Sequence, residues 1–229
     1  MSATDPTPVV ISVRGEANLE ADPELCEFAV TIQARGPERT GVLTRLTERN
    51  NEALAQIKDT WPDALEKVQS SGFAVYPEAK GRGRGEQVKA YAGSVRIQVV
   101  VKDFTVLGDM MIRLADAEGR SVDGPYWRLR RDSAVYREAR NEAVGEAVSR
   151  AKEYAAAVGS RVVALLELAD QGLSTSGVAQ PVVRAYSAVS RPGGALGSGN
   201  GPVLDLEPVR QTVYAAVEGR FSATQPEAL

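Results

Sequence analysis

The stretch DSAVYREARNEAVGEAVSRAKEYAAAVG, which runs from Asp132 to Gly159, decides the fold of this chain. Its apolar residues recur at spacings of three and four, which places them on one stripe of a single long helix. We expect Asp132 or Ser133 to cap the start of this helix and Gly159 to end it. Because alanine side chains are short, we expect the helix to lie close to whatever it covers. The stripe consists of Tyr136, Ala139, Ala143, Ala147, Ala151, Tyr154, Ala155 and Val158.

The composition is that of an ordinary soluble globular protein and excludes several kinds of site. Of the 229 residues, 43% are hydrophobic and 25% are charged, and the formal net charge is −3. Such a charge gives no overall attraction to nucleic acid or to anionic membranes. The chain has no histidine, which excludes histidine-based triads and histidine-containing metal sites. We therefore expect no metal and no cofactor.

The cellular location is predicted from the same inspection. No stretch approaches the roughly 20 apolar residues of a membrane-spanning helix, so we expect no membrane span. The opening MSATDPTPVV lacks the basic and apolar regions of a signal peptide. The single cysteine, Cys26, cannot form an intramolecular disulfide, which fits a reducing compartment. These features predict a cytoplasmic protein.

Alternating apolar residues predict strands at both ends of the chain. At the N-terminus, the runs 9–16 and 25–33 alternate with period two, which is typical of half-solvated antiparallel strands. The turn residues at 21–24, Ala-Asp-Pro-Glu, predict that these two strands form a hairpin. At the C-terminal end, 162–168 and a run around Val213 predict a strand pair.

Between Leu25 and Arg131 the predicted order is strand, helix, strand, strand, helix, strand, which is the order of ferredoxin-like folds. We therefore predict an α+β protein with an antiparallel sheet of βαββαβ order. An N-terminal hairpin strand and a C-terminal strand pair extend this sheet, and we expect the long alanine-rich third helix to pack flat on this structure or on a neighbouring subunit. Two helices on one face of the sheet would bury both of their apolar stripes at once.

This organisation predicts a single domain over 9–222, between tails at 1–8 and 223–229. Its first part, 9–131, holds the first strand and the βαββαβ elements, and its second part, 132–222, holds the long helix and the strand pair. The segment 174–202 within the second part is rich in Gly, Ser, Ala and Pro. A connection of this length is either a flexible tether or an arm that binds a protein partner.

Several stretches, taken in order, resemble the SIMPL-domain family, named for a kinase-associated signalling adaptor. They are RGEANLEADPELCEFAVTI, ERNNEAL, SSGFAVYPEA, YAGSVRIQVVVKDFTVLGDMM and the alanine-rich helix. The resemblance runs from about Ile11 to Phe221. It implies homo-oligomeric assembly and a role in stress or envelope contexts, since bacterial members are often labelled oxidative-stress-defence proteins. The resemblance supplies no catalytic residues, and many relatives carry an export signal that this sequence does not show.

One basic cluster, KGRGRG, is a candidate site for nucleic acid or an anionic ligand. Lys80, Arg82 and Arg84 would supply the cations, and the glycines would let the backbone approach a phosphate. The alternative interpretation is a solvated hairpin tip. We favour the tip, so nucleic acid is not the partner that we expect.

Cys26 is a second candidate, for redox sensing. A sensor thiol should be exposed and should have a pKa lowered by positive charge nearby. Cys26 instead alternates in register with Phe28, Val30 and Ile32 and lies next to Glu27. We favour a buried structural cysteine, because unpaired cysteine is among the most buried residue types.

Three functions remain open from the sequence. The first is a non-enzymatic, homo-oligomeric SIMPL-domain protein with a scaffolding or stress-protective role. The second is binding of nucleic acid or an anionic ligand through the loop from Lys80 to Arg84. The third is an enzyme that uses carboxylate or lysine chemistry, for which the sequence shows no recognisable arrangement.

Overall fold

The computed structural model describes residues 9–79, 88–173 and 204–227. The chain divides into two units. We call the unit formed by 1–21, 131–195 and 212–229 the three-stranded unit, and the unit formed by 22–130 and 196–211 the four-stranded unit. The sequence predicted one domain and grouped the first strand with the residues up to 131. The structure places that strand with the C-terminal part instead.

In the three-stranded unit, the alanine-rich stretch forms one unbroken helix, α3 (Ala134–Ala157), as predicted. Ser133 caps its start, because its Oγ accepts a hydrogen bond from the N–H of Val135 at 3.4 Å. Gly159 follows the helix with φ of 66°. The fully buried residues of α3 are Ala139, Ala143, Ala147, Ala151 and Ala155.

The two large residues predicted for the last turns of this stripe are not buried. Tyr154 is 55% exposed and Val158 is 37% exposed. The buried alanines follow every fourth residue, so the stripe turns by about 40° around the helix at each step. Near the end of the helix, the stripe has therefore turned away from the side on which Tyr154 lies. Val158 lies beyond the last helical residue.

Helix α3 packs against strand β1 (Val9–Ala21) almost backbone to backbone. Gly15 of β1 makes this possible, since a Cβ placed there would lie 2.0 Å from the carbonyl oxygen of Ala143 and 2.4 Å from the nitrogen of Ala147. The close approach predicted from the alanine stripe is therefore confirmed. The buried residues of this core are Val13, Ala17, Ala143, Ala147, Ala151, Val217 and Phe221.

The sheet of this unit has the order β1-β7-β6, with β6 at Val162–Asp170 and β7 at Gln211–Ala223. Strands β6 and β7 are antiparallel, which confirms the predicted C-terminal pair. The pair forms a separate sheet with β1, so the prediction that it extends the sheet of βαββαβ order is wrong. Tyr214 donates a hydrogen bond to Glu16 at 3.1 Å, and Arg14 lies 3.3 Å from Glu218. The later residue on β7 thus faces the earlier one on β1, so these two strands also run in opposite directions.

The hairpin predicted between 9–16 and 25–33 does not form. Strand β1 pairs with β7, whereas β2 (Leu25–Gly36) pairs with β4 and β5 in the other sheet. The residues between Ala21 and Leu25 therefore link two sheets instead of turning within one. Period-two alternation shows which face of a strand is apolar, but it does not identify the neighbouring strand.

The four-stranded unit has a sheet of order β3-β4-β2-β5, with antiparallel pairs throughout. Its other strands are β3 (Leu65–Ala79), β4 (Val88–Val101) and β5 (Arg120–Arg128). Along the chain the elements follow the order strand, helix, strand, strand, helix, strand. Together with the three-stranded unit, they confirm an α+β class with seven strands and three α-helices among the described residues.

Two helices supply the core of this unit. Helix α1 (Arg39–Thr60) buries Val42, Leu46, Ala53 and Ile57, and α2 (Leu107–Ala115) buries Leu107, Met110, Met111 and Leu114. Short 3₁₀ turns at Pro62–Ala64 and Phe104–Val106 precede β3 and α2. Asp103 starts the second turn by accepting the N–H of Thr105 at 3.0 Å. From the sheet, the core includes Cys26, Phe28, Val30, Ile32, Val95, Ile97, Val99 and Val101.

Candidate functional site

A cleft of about 490 Å³, which we call the arginine cleft, lies where α1 meets one end of the four-stranded sheet. Strand β5 begins only at Arg120, which pairs with Ile32, so β5 does not continue alongside the residues of β2 that line this cleft after Ile32. Just beyond it, the N–H of Gln33 donates to the carbonyl of Gly119 at 2.7 Å. Its polar lining consists of Thr31, Gln33, Arg35, Arg45, Arg49, Tyr76, Glu78, Ser94 and Glu118.

Two arginines of the cleft are held by specific partners. Arg49 donates from Nη1 to the carbonyl of Gln33 at 2.8 Å and from Nη2 to Glu118 at 2.9 Å. The side chain of Arg49 is only 24% exposed, whereas that of Glu118 is 93% exposed. Arg35 donates from Nε to Glu78 at 2.7 Å. The backbone contact positions Arg49 firmly, while its carboxylate partner is almost fully in solvent.

Arg45 is different, because it contacts no carboxylate among the described residues. It lies one helical turn before Arg49, on the same side of α1. Its Nε donates to the carbonyl of Gly41 within the helix at 3.2 Å. Its guanidinium occupies the space where a side chain at Gly36 would stand, since a Cβ there would lie 2.1 Å from Nη2. The three arginines of the cleft face two glutamates, which leaves one positive charge in excess.

A second cleft, of about 460 Å³, lies between α1 and strand β3. Its apolar part is formed by Leu46, Val95 and Phe73, the last of which is 65% exposed. A bulge in β3 between Ser70 and Gly72 shapes its rim. The side-chain oxygen of Asn50 is buried and has no hydrogen-bond partner among the described residues.

A third cleft, of about 520 Å³, surrounds the start of α3 in the three-stranded unit. Arg131, Arg137 and Arg140 line it together with Asp132. All three arginines are exposed. These arginines give the start of α3 a local positive charge.

On the face of the four-stranded sheet away from its helices, polar side chains form hydrogen-bonded groups. Asp123 accepts from the hydroxyl of Tyr126 at 2.9 Å and from Nη2 of Arg96 at 3.1 Å. The Tyr126 hydrogen bond, and then the Arg96 contacts, lower the pKa of Asp123. The same hydrogen bond raises the pKa of Tyr126, helped by the charge of Asp123. Glu27 similarly accepts from Gln98 and from Arg128.

This polar face does not resemble a surface on which bases stack. Single-stranded nucleic acid is bound on aromatic platforms that lie along a basic groove. The exposed aromatic residues here, Tyr76 and Tyr126, lie on the outer strands β3 and β5. The central strands present polar side chains such as Glu27, Arg96 and Gln98.

The candidate basic loop lies outside the described residues. Lys80, Arg82 and Arg84 fall in the gap 80–87, so anionic-ligand binding by this loop stays a prediction. Of its two neighbouring tyrosines, Tyr76 is 54% exposed, and Tyr91 is partly buried against the core. The segment 174–202, predicted as a tether or a partner-binding arm, also lies outside the described residues.

Cys26 is fully buried in the core, where the favoured interpretation placed it. Burial raises the pKa of its thiol to about 12, and the charge of Glu27 adds to this increase. A redox-sensing thiol needs exposure and a lowered pKa, and Cys26 has neither.

Strand β6 carries a cluster of exposed apolar side chains that sequence reasoning did not identify. Val163, Leu165, Leu166 and Leu168 are each between 47% and 66% exposed, and Leu173 just beyond the strand is 73% exposed. Strand β6 is outermost in its sheet, and α3 packs mainly on β1. The signal was present in the sequence, because VVALL is five consecutive apolar residues where a half-buried strand would alternate.

The described ranges contain neither a cluster of metal ligands nor a membrane-spanning helix. No group of three or more His, Cys, Asp or Glu side chains is placed to hold a metal ion. No helix in the described part of the chain is both long enough and apolar enough to span a bilayer.

The order of elements and the alanine-rich helix can be compared with known families. The sequence profile of SIMPL, described as "Protein of unknown function (DUF541)", matches residues 11–221. The chain belongs to the SIMPL family. The matched region coincides with the range over which the sequence resembled this family, so that prediction is confirmed. The description of the SIMPL family assigns no activity that could be carried over to the clefts.

Curated relatives include the "26 kDa periplasmic immunogenic protein" of Brucella melitensis biotype 1. It is 26% identical over 192 residues, which cover 77% of this chain and 72% of the relative. The protein of the same name from Brucella abortus strain S19 matches with the same identity and coverage. The name of these SIMPL relatives places them in the periplasm, and it does not support the cytoplasmic location predicted from the sequence.

Proposed function

We propose that this SIMPL-family protein is a non-enzymatic scaffold that assembles with copies of itself through the apolar surface of β6. The observation that carries the proposal is the cluster of exposed side chains Val163, Leu165, Leu166 and Leu168 on an outermost strand. Monomeric proteins rarely expose contiguous apolar patches of this kind, and such patches mark interaction sites.

The chemistry of β6 supports a second copy as the occupant. From Val162 to Ala169 the only charged residue is Glu167, and it pairs with Arg220 of the neighbouring strand at 3.2 Å. Natural edge strands that must stay apart usually carry charges, especially lysine. Two copies of β6 can therefore approach without placing uncompensated like charges opposite each other.

The contact that we propose is made by side chains rather than by a continuous strand ladder. The register of β6 against β7 shifts between Val162 and Ala164 and again between Leu165 and Glu167. Bulges of this kind interrupt regular pairing along an edge. Leu165 and Leu168 pair with Phe221 and Gly219, so both lie on the face of the sheet that α3 covers elsewhere. Packing of these leucines against a second copy would remove them from water.

The proposed lack of enzymatic activity rests on the sites themselves. The chain contains no histidine, and the arginine cleft holds guanidinium, carboxylate and hydroxyl groups without a nucleophile paired to a base. A stress-protective role is implied by family resemblance and remains a proposal. Cytoplasm and periplasm are the two candidate compartments, and cell fractionation with compartment markers distinguishes them.

Sedimentation velocity tests the assembly. We expect the protein to sediment at a multiple of its 24.4 kDa mass and the double variant Leu165→Lys with Leu168→Lys to dissociate. Phe73→Lys is the matched control, because Phe73 is similarly exposed but lies in the other sheet. Circular dichroism melting establishes that each variant is folded. A wild-type protein that is monomeric at high concentration, or a folded double lysine variant with unchanged mass, would contradict the proposal.

A further inference from the structure

We infer that the arginine cleft of the four-stranded unit binds the oxyanion group, phosphate or carboxylate, of a small molecule on Arg45 and Arg49. This inference is independent of assembly through β6. It follows from one guanidinium that contacts no carboxylate among the described residues, a second whose carboxylate partner is almost fully solvated, and a cleft that both arginines line.

Arg45 provides the charge that is available. Its Nε donates to the carbonyl of Gly41, its Nη2 lies over Gly36, and the residue lines the cleft. A guanidinium has five N–H donors in a planar fork that matches phosphate and carboxylate oxygens. Within the part of the chain that the structure describes, the remaining donors of Arg45 have no carboxylate acceptor and are available to a ligand.

Arg49 provides the fixed donor. Its Nη1 is held by the carbonyl of Gln33, which orients the guanidinium, and its Nη2 points to Glu118. An exposed ion pair contributes little to stability, since water and salt screen it and the side chains lose entropy. With Glu118 at 93% exposure, an incoming oxyanion can replace this carboxylate at small cost.

The rest of the cleft fits a small organic molecule better than a bare ion. Its volume of about 490 Å³ falls in the range of ligand pockets, which is roughly 300–1,000 Å³. Tyr76, at 54% exposure, offers an aromatic wall, and the hydroxyls of Thr31 and Ser94 offer donors and acceptors. One end of a ligand would thus be bound by arginine and the other by neutral groups.

Thermal unfolding with inorganic phosphate and with malonate, each compared with sodium chloride at equal ionic strength, tests this inference. A ligand of the folded state raises the melting temperature with concentration, and this rise yields its affinity. We expect phosphate, malonate or both to raise the melting temperature more than sodium chloride does. Comparison of phosphate with malonate then shows whether the site prefers a phosphate or a carboxylate group. Equal effects of all three salts would overturn the inference.

Three variants locate the site. Arg45→Gln should weaken binding by about tenfold or more, because it removes charge-assisted hydrogen bonds. Arg39→Gln, on the first residue of the same helix and outside the cleft, should leave it unchanged. Glu118→Gln should tighten binding by about two- to fivefold, since it removes a competitor for Arg49. Equal losses in the two arginine variants, or weaker binding in Glu118→Gln, would overturn the inference.

Discussion

Gly15 of β1 and Ala147 of α3 are in direct backbone contact: a Cβ built on Gly15 would lie 2.4 Å from the nitrogen of Ala147 and 2.8 Å from its Cβ. The obstacle is main chain of a helix and cannot rotate away. Gly15→Ala must therefore separate α3 from the sheet. We expect a loss of about 1–3 kcal/mol in the free energy of unfolding, the usual cost of overpacking, measured by urea denaturation.

Gly145→Ala is the control for this substitution. Gly145 lies on α3, but a Cβ there meets nothing within 4 Å. Because alanine favours the helix more than glycine does, we expect a gain of up to about 1 kcal/mol. Equal effects of the two substitutions would show that helix propensity, and not the contact with β1, decides the outcome.

The contact between Gly15 and Ala147 also shows how far the sequence could predict this fold. The alanine stripe predicted a close approach, and the period-two strands predicted which residues are buried, because both depend on local periodicity. The partner of β1 could not be predicted in this way. Its alternation fits β2 and β7 equally well, and the short link after Ala21 favoured a hairpin that does not form.

The candidate site was less predictable, because it also depends on contacts between residues that are distant in sequence. Arg45 and Arg49 are one turn apart on a predicted helix, which placed them on one face of it. Their surroundings depend on where β5 begins and on which carbonyl accepts a hydrogen bond from Arg49, and both are long-range features. Basic clusters that are contiguous in sequence, such as the loop with Arg82, are visible beforehand, whereas clusters assembled by the fold are not.

The thiol of Cys26 should be inert in the folded protein. Burial raises its pKa to about 12, so very little thiolate exists at pH 8, and reagents have no access to the sulfur. We expect a thiol-reactive dye at pH 8 to label the protein only after denaturation. Ser12→Cys, which adds an exposed thiol on β1, serves as the positive control and should react at once. Rapid labelling of the native wild type would restore the redox-sensor hypothesis.

The hydrogen bond between Tyr126 and Asp123 should give a measurable pH dependence. The pKa of Asp123 is lowered, so its contribution to stability is present above its ordinary pKa and is lost as pH falls through the lowered value. The pKa of Tyr126 is raised, so its contribution is present below its ordinary pKa and is lost as pH rises through the raised value.

Absorbance of tyrosinate near 295 nm can follow this phenol directly. The difference between wild type and Tyr126→Phe isolates its titration, and the same difference in an Asp123→Asn background gives the reference. We expect the phenol to titrate at lower pH in that background, because the asparagine carries no charge that disfavours the phenolate. An unchanged titration would show that Asp123 does not govern Tyr126 in solution.

Arg120 carries the last prediction, because its side chain is only 1% exposed and is incompletely paired. Its Nη1 donates to Gln56 at 2.7 Å and its Nη2 lies 3.3 Å from Glu52, yet Nε and Nη2 have no hydrogen-bond partner in the described part of the chain. Burying a charge is expensive, and removing a hydrogen-bond partner leaves that cost without compensation. We expect Gln56→Leu to destabilise the protein by about 1–3 kcal/mol.

Arg120→Met should cost less than Gln56→Leu, although it removes the larger side chain. The methionine keeps the apolar stem of arginine and removes the buried charge, and replacements of this kind are often neutral or stabilising. The double variant should be no less stable than Gln56→Leu alone, since no cation remains that needs the amide. Urea denaturation of the four proteins completes the cycle. If Arg120→Met instead lowers the free energy of unfolding the most of the three variants, the buried guanidinium is stabilising. In that case the free energy of its hydrogen bonds exceeds the cost of burying its charge.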